Sequence, residues 1–129
     1  MEQQQYLIDT NVVIDYLGQK LPPSAMTFLN EVVDSIPNVS IITRIEVLGF
    51  STTKDSYQLL ESFMNDATVL DLTEDVANQS IEIRKSLKTK LPDAIIAATA
   101  MVYDLKLITR NVGDFKHIAD LKLLNPWEL

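Results

Sequence analysis

The 129-residue sequence contains no cysteine and a single histidine, His117. The lack of cysteine excludes disulfide bridges, thiolate zinc sites, iron–sulfur clusters and a cysteine nucleophile. A single histidine excludes any metal site that needs two imidazole ligands. The chemistry open to this chain is therefore that of carboxylates, hydroxyls and amines.

Glycine and proline are scarce, at three and five residues, which excludes a collagen-like or linker-rich chain. The longest apolar run, residues 94–103, is far shorter than the ~20 residues that span a bilayer. The N-terminus lacks the basic segment of a signal peptide. We therefore expect no membrane association, a cytoplasmic location and a single domain over residues 1–129.

Basic charge is also in short supply, because 11 Lys and Arg residues face 18 Asp and Glu residues and the net charge is −7. A protein that coats nucleic acid through its phosphates usually carries a basic surface. The charge balance therefore disfavours a purely charge-driven nucleic-acid binder. It leaves open an enzyme that approaches phosphates through bound metal cations.

Short apolar runs alternate with helical patterns along the chain. The predicted strands span residues 6–8, 39–42, 67–72, 107–109 and 121–124. Helical patterns cover residues 12–17, 24–36, 43–50, 57–64, 74–87 and 93–105, and residues 110–115 are predicted to form a loop. This order predicts one α/β domain with a mainly parallel central sheet and helices on both faces.

Acidic residues follow the predicted strands. Asp9 comes directly after the first strand, Glu46 lies one helical turn past the second, and Asp114 follows the fourth. Asp93 opens an alanine-rich helix. The functional crevice of a parallel sheet lies beyond the carboxyl ends of its strands, where these acids would meet. Clustered carboxylates repel one another, so a fold that gathers them needs a compensating cation.

Each acid also has a purely structural interpretation. Thr43 and Glu46 fit the spacing of a helix capping box. Asp93 can complement a helix dipole, and Asp9 and Asp114 can stabilise Asx turns. If the acids instead converge, their oxygens suit Mg²⁺ or Mn²⁺, and two such ions can promote phosphodiester cleavage.

Four segments resemble the PIN-domain ribonucleases, and most closely the small VapC-like toxins of toxin–antitoxin pairs. They are residues 7–15 (LIDTNVVID), 42–46 (ITRIE), 90–100 (KLPDAIIAATA) and 107–115 (LITRNVGDF), in the family's order. The resemblance implies a PIN-like three-layer α/β/α domain. It also implies a metal-dependent endoribonuclease that cleaves RNA with a water activated by the metal, leaving a 5′-phosphate and a 3′-hydroxyl.

The resemblance further assigns roles to individual residues. It implies that Asp9, Glu46, Asp93 and Asp114 form an acidic site for Mg²⁺ or Mn²⁺. Hydrogen-bonding support would come from Thr10, Asn11, Thr109 and Asn111. The implied partners are an RNA substrate, an antitoxin protein and a second copy of the chain in a homodimer.

Six basic residues are candidates for contacts with RNA phosphates. They are Arg44, Arg84, Lys85, Lys88, Lys90 and Arg110. The four bases within residues 84–90 can instead form a solvated helix end that complements the helix dipole. Arg44 and Arg110 can instead pair with a carboxylate, and His117 is expected at the surface.

Two other functions fit parts of the sequence. A phosphoryl-accepting receiver domain has a similar sheet and an acidic pocket, but it needs paired acids after the first strand and a lysine after a late one. Here Thr10 follows Asp9, and Arg110 follows the fourth strand. The other alternative is a non-catalytic PIN-like binding module, which would not need the complete set of acids.

Overall fold

A computed structural model describes residues 4–129 of the chain. The strands are β1 (Tyr6–Ile8), β2 (Asn38–Ser40), β3 (Thr68–Leu70), β4 (Lys106–Ile108) and β5 (Leu123–Leu124). The helices are α1 (Thr10–Leu17), α2 (Pro23–Asp34), α3 (Ile41–Leu48), α4 (Lys54–Asp66), α5 (Glu74–Ser86), α6 (Leu91–Val102) and α7 (Val112–Phe115). A 3₁₀ turn at Pro126–Glu128 follows β5.

The five strands form one parallel sheet in the order β3-β2-β1-β4-β5. In the register between β1 and β4, Leu7 lies opposite Leu107 and Ile8 opposite Ile108. The chain builds the sheet outward from β1, first through β2 and β3 and then through β4 and β5. The strand order therefore reverses between β1 and β4, which creates a crevice at the edge where the strands end, here called the carboxyl edge.

Successive side chains of the central strands point to opposite faces of the sheet, and each face is covered by helices. Leu7 and Leu107 pack in one core with α5 and α6, whereas Ile8 and Ile108 pack in a second core with α1 to α4. These side chains are at most 1% exposed. The predicted α/β fold with helices on both faces is therefore confirmed.

Helix α6 lies against the sheet through small side chains. Ala94, Ala97, Ala98 and Ala100 are each at most 1% exposed, so the backbone of α6 can approach its neighbours closely. Because α6 leads into the amino end of β4, it runs against the strand direction. Its first turn, which carries Asp93, therefore lies at the carboxyl edge.

The second strand ends at Ser40, earlier than predicted, and the last two residues of the predicted strand belong to α3. The Ser40 side chain accepts a hydrogen bond from the Ile42 N–H at 3.1 Å, so Ser40 caps α3. The prediction that Ile42 belongs to a strand is therefore wrong. The capping-box interpretation is also wrong. Thr43 lies inside α3 and is not its N-cap, so Glu46 does not pair with a Thr43 cap.

The predicted loop at residues 110–115 contains a short helix, α7. Phe115 is 1% exposed and anchors this turn in the core beneath α6. Burial of one large ring thus imposes a helical turn on a segment whose sequence lacks a helical pattern. Within residues 4–129, no helix combines the length and the apolar character needed to cross a membrane.

We expect Ser40→Ala to destabilise the protein by about 1 kcal/mol, because the start of α3 loses its cap. Chemical denaturation of both proteins measures this loss of free energy. Ser51→Ala, at an exposed position between α3 and α4, is the control and should change the stability by less than ~0.5 kcal/mol. Equal stabilities of the Ser40 and Ser51 variants would contradict the assigned start of α3.

Candidate active site

Asp9 occupies the centre of the carboxyl edge, directly after β1, and is 5% exposed. Its Oδ1 accepts a hydrogen bond from the Thr10 N–H at 2.8 Å. Its Oδ2 accepts one from the Thr109 hydroxyl, also at 2.8 Å, and Thr109 follows the neighbouring strand β4. Both oxygens of this buried carboxylate are therefore held in fixed positions.

Glu46 joins the site from α3 through a chain of hydroxyls. The Thr10 hydroxyl donates to Glu46 Oε1 at 2.7 Å. Thr10 Oγ1 and Thr43 Oγ1 are 3.0 Å apart. Because a hydroxyl has one proton, the Thr43 hydroxyl must donate to Thr10 when Thr10 donates to Glu46. This chain ties the first residue of α1 to α3.

Asp93 and Asp114 face each other across an open cleft of about 360 Å³. Asp93 is half-buried in the first turn of α6, and Asp114 is exposed on α7. Lys88, Lys90 and His117 also line this cleft. The exposed position of His117 agrees with the expectation from the sequence, and the structure adds that it borders the cleft.

The electrostatics link these acids into one site. Burial raises the pKa of Asp9 above its ordinary value of 3.8. Hydrogen bonds from Thr109 and Thr10 lower this pKa in part, and repulsion from Asp93 and Glu46 raises it further. Burial also raises the pKa of Asp93, as does repulsion from Asp114 and from Glu46, while Lys90 opposes the increase. The four predicted acids thus act on one another across the carboxyl edge.

The donor set fits a hard divalent cation. Neither ion pair found within residues 4–129 involves one of the four acids, so repulsion among them is not relieved by a bound side-chain cation. No three acidic or histidine side chains in that range are close enough to form a compact metal cage. A loose ring of carboxylates suits Mg²⁺ or Mn²⁺ if water molecules complete the coordination, as is usual for Mg²⁺.

The four predicted supporting residues differ in what they contact. Thr10 and Thr109 make the hydrogen bonds to Glu46 and Asp9 described above. Asn111 contributes its backbone N–H, which donates to Thr109 Oγ1 at 3.0 Å. Asn11 is exposed, and its side chain makes no hydrogen bond within residues 4–129. Asn11 and Asn111 therefore do not support the acids through their side chains in this conformation.

Thr43 is a member of the site that the sequence did not reveal. Its pattern suggested a helix cap, but the residue is fully buried and bonded to Thr10, 33 positions earlier in the chain. The available signal was the one-turn spacing from Thr43 to Glu46, which places both on one side of α3. The same spacing also fits a capping box, so the local sequence does not separate the two interpretations.

The six candidate RNA-contacting bases occupy four places. Lys88 and Lys90 border the acidic cleft. Arg84 and Lys85 are exposed in the last turn of α5, where Lys85 pairs with Glu82 at 3.5 Å. The remaining two are Arg44, exposed on α3, and Arg110, whose guanidinium lies over the ring of Trp127.

Comparisons with known proteins agree with this geometry. The PIN domain family matches residues 6–121. Ribonuclease VapC19 of Mycobacterium tuberculosis is 29% identical over 123 residues, which cover 90% of this chain and 96% of that protein. The chain therefore belongs to the PIN-domain family.

Solved structures show the same fold. A toxin–antitoxin complex from Klebsiella pneumoniae contains a chain that is 30% identical, with a TM-score of 0.75 and coverage of 97% of this chain and 100% of that one. VapBC-1 from nontypeable Haemophilus influenzae matches at 25% identity and a TM-score of 0.79, covering 98% and 100% of the two chains.

We expect Asp93→Asn to raise the melting temperature of the metal-free protein at about pH 7.5, because the variant removes a carboxylate whose charged form is disfavoured in the folded state. The pKa of Asp93 is higher in the folded than in the unfolded chain, so its ionisation destabilises the fold as the pH rises through that interval. The advantage of the variant should therefore shrink as the pH falls toward 3.8.

Thermal melts in the presence of a chelator, recorded over a series of pH values, measure this difference. Asp71→Asn is the matched control, since Asp71 is an exposed acid in the segment between β3 and α5. A melting temperature of Asp93→Asn that stays at or below that of the wild type at every pH would refute the electrostatic account.

Proposed function

We propose that this PIN-domain chain is a metal-dependent endoribonuclease and acts as the toxin of a toxin–antitoxin pair. The observation that carries the proposal is the buried Asp9 carboxylate, held at the crevice of the sheet within the field of Glu46 and Asp93. The similarity to a protein named as a ribonuclease supports the activity. The similarity to a chain of a toxin–antitoxin complex supports the biological role.

In this proposal Asp9, Glu46, Asp93 and Asp114 hold Mg²⁺ or Mn²⁺. The ion, when bound, supplies positive charge to the phosphate and lowers the pKa of water. Each oxygen of Asp9 accepts one hydrogen bond from the protein and keeps a further lone pair for a ligand. The threonine contacts thus orient Asp9 without consuming its capacity to bind a cation.

The surrounding bases provide the contacts for the RNA backbone. Lys88 and Lys90 border the cleft that contains Asp93 and Asp114, so a strand lying in this cleft meets both charges. Attraction to Lys90 opposes the increase in the pKa of Asp93, which supports a place for Lys90 beside the acidic site. Its position suits a phosphate next to the bond that is cleaved.

The proposed partners follow from the same cleft. An antitoxin would inhibit the enzyme by covering the acids, and an arginine or lysine side chain offers the charge that they lack. The related structure from Klebsiella pneumoniae is a toxin–antitoxin complex, which supports an antitoxin as the partner of this chain. We further propose that the chain forms a homodimer, which sedimentation of the purified toxin tests directly.

The two alternative functions have less support. A receiver domain needs a second acid beside the phosphoryl acceptor, but Thr10 occupies that place and donates to Glu46. A non-catalytic binding module gains nothing from four mutually repelling acids.

We expect Asp9→Asn to lower the rate of RNA cleavage by more than about 100-fold, since loss of a residue that only supports a metal ligand already costs 10–100-fold. Cleavage of a labelled RNA in Mg²⁺ or Mn²⁺, with the product ends identified, measures the effect. Asp15→Asn is the matched control, because it removes an acid from α1, the helix that Asp9 caps, at a position outside the site.

The same pair of variants tests the biological role. Induced expression of the wild type and of Asp15→Asn should arrest growth, whereas Asp9→Asn should not. An Asp9→Asn protein that cleaves RNA at the rate of the wild type would disprove the assignment. Wild-type protein that fails to cleave any RNA but binds it would instead favour the binding module.

We expect Mg²⁺ or Mn²⁺ to raise the melting temperature of the wild type and to have much less effect on Asp93→Asn. A ligand that binds only the folded state, at 100 times its dissociation constant, stabilises a protein by about 2.7 kcal/mol. The variant should therefore be the more stable protein in a chelator and lose that advantage in the metal. Titrating each ion in turn also identifies the preferred one, and equal shifts in both proteins would exclude Asp93 as a ligand.

A further inference from the structure

Arg110 and Trp127 form a pair at the carboxyl edge that the acidic site does not use. Arg110 comes two residues after β4, and Trp127 lies in the 3₁₀ turn that follows β5. These two strands are neighbours, with Ile108 opposite Leu124. The guanidinium carbon lies 4.5 Å from the centroid of the indole ring, a distance typical of a cation–π contact.

The indole ring is held in place by its surroundings. The Asn125 side chain accepts a hydrogen bond from the Trp127 N–H of the backbone at 2.9 Å, and Pro126 is buried. Trp127 packs against the core formed by α1 to α4. At the chain end, the Ser24 hydroxyl of α2 donates to the Leu129 carbonyl at 2.9 Å. The ring is therefore a fixed platform.

Arg110 keeps its hydrogen-bonding capacity free. It is exposed, and within residues 4–129 it forms neither an ion pair nor a side-chain hydrogen bond. Lys122, by contrast, pairs with Asp104 at 3.1 Å. An indole ring attracts the guanidinium through its face and does not accept hydrogen bonds from its N–H groups. These N–H groups therefore remain available to bind a phosphate.

Arg110 is also tied closely to the acidic site. It follows Thr109, whose hydroxyl donates to Asp9, and precedes Asn111, whose N–H donates to Thr109. Two consecutive residues thus have different roles: Thr109 hydrogen-bonds to the buried Asp9, and Arg110 stacks on Trp127.

We infer that Arg110 binds a phosphate of the RNA strand outside the scissile bond and that Trp127 is the positioning residue that holds it ready. Lys88 and Lys90 border the cleft at the start of α6, which packs on one face of the sheet. Trp127, on which Arg110 stacks, packs against the core on the other face. A strand that crosses the site would therefore meet a base on each side of the cleaved bond. This inference rests on the proposed ribonuclease function.

Trp127 also provides its own signal, since it is the sole tryptophan of the chain. A phosphate that binds the guanidinium changes the charge next to the indole. Binding of RNA should therefore change the fluorescence of the wild type. The same RNA should leave the fluorescence of Arg110→Ala unchanged if Arg110 is the group that responds.

The test compares Arg110→Ala, Arg110→Lys, Trp127→Leu and the double variant in cleavage of one RNA. We expect Arg110→Ala to raise KM about 10-fold and to keep kcat within about twofold of the wild-type value. The variant should also reduce the slope of log affinity against log salt concentration by ~0.7, the value for one phosphate contact on a single strand. Arg110→Lys should keep that slope. Trp127→Leu should raise KM about 2- to 5-fold, as expected for loss of an exposed cation–π contact.

The double variant separates positioning from simple packing. If Trp127 acts through Arg110, adding Trp127→Leu to Arg110→Ala raises KM no further. Trp127→Phe keeps an aromatic face and should fall between the wild type and Trp127→Leu, which covers the case in which the leucine variant folds poorly. Lys122→Ala, which removes a base from the opposite edge of the sheet, is the control and should keep the wild-type KM.

The outcomes distinguish the two proposals. Suppose that the wild type cleaves RNA and that the Arg110 variants have the same KM, salt dependence and fluorescence response as the wild type. This inference is then wrong, and the ribonuclease function is unaffected. Additive effects of Arg110→Ala and Trp127→Leu on KM would limit Trp127 to a packing role and overturn its assignment. A wild-type protein that cleaves no RNA overturns the ribonuclease function and this inference together.

Discussion

The burial of one carboxylate imposes the main constraint on this structure. Asp9 is 5% exposed at the end of the central strand, where loss of hydration disfavours its charge. Hydrogen bonds from Thr109 and from the Thr10 backbone oppose that effect only in part, since the pKa remains raised. Repulsion from Asp93 and Glu46 raises the pKa of Asp9 further. The fold alone gives no structural reason to keep such an arrangement, which supports the proposal that a cation binds there.

The parallel sheet explains how residues so far apart in sequence come together. Asp9 and Thr109 are 100 positions apart, yet they follow adjacent strands and share a hydrogen bond. Glu46 approaches on α3, which starts directly after the next strand, and Asp93 approaches on a helix that runs in the opposite direction. The chain therefore needs no long loop to reach the site, and short strands suffice because the acids lie just beyond their ends.

Much of this arrangement could be predicted from the sequence, because the strand-forming runs are apolar and the acids follow them. The prediction failed where burial or a cap outweighed local pattern. Ile42 is β-branched and was assigned to a strand, but Ser40 caps a helix before it. Phe115 draws residues 112–115 into a helical turn by its burial, which the local pattern does not reveal. The pairing of Thr10 with Thr43 joins two helices and leaves no local signal.

The net charge of −7 also shapes how the chain would recognise RNA. Long-range attraction between this acidic protein and a polyanion is weak, so binding depends on short-range contacts at the site. In the proposed function, such contacts come from the bases on either side of the acids and from the ion that the acids would bind. Because 11 Lys and Arg residues face 18 Asp and Glu residues, few positions can attract RNA nonspecifically, and a strand that binds must fit these few points. The scarcity of bases therefore favours an RNA whose phosphates reach these few contacts at the same time.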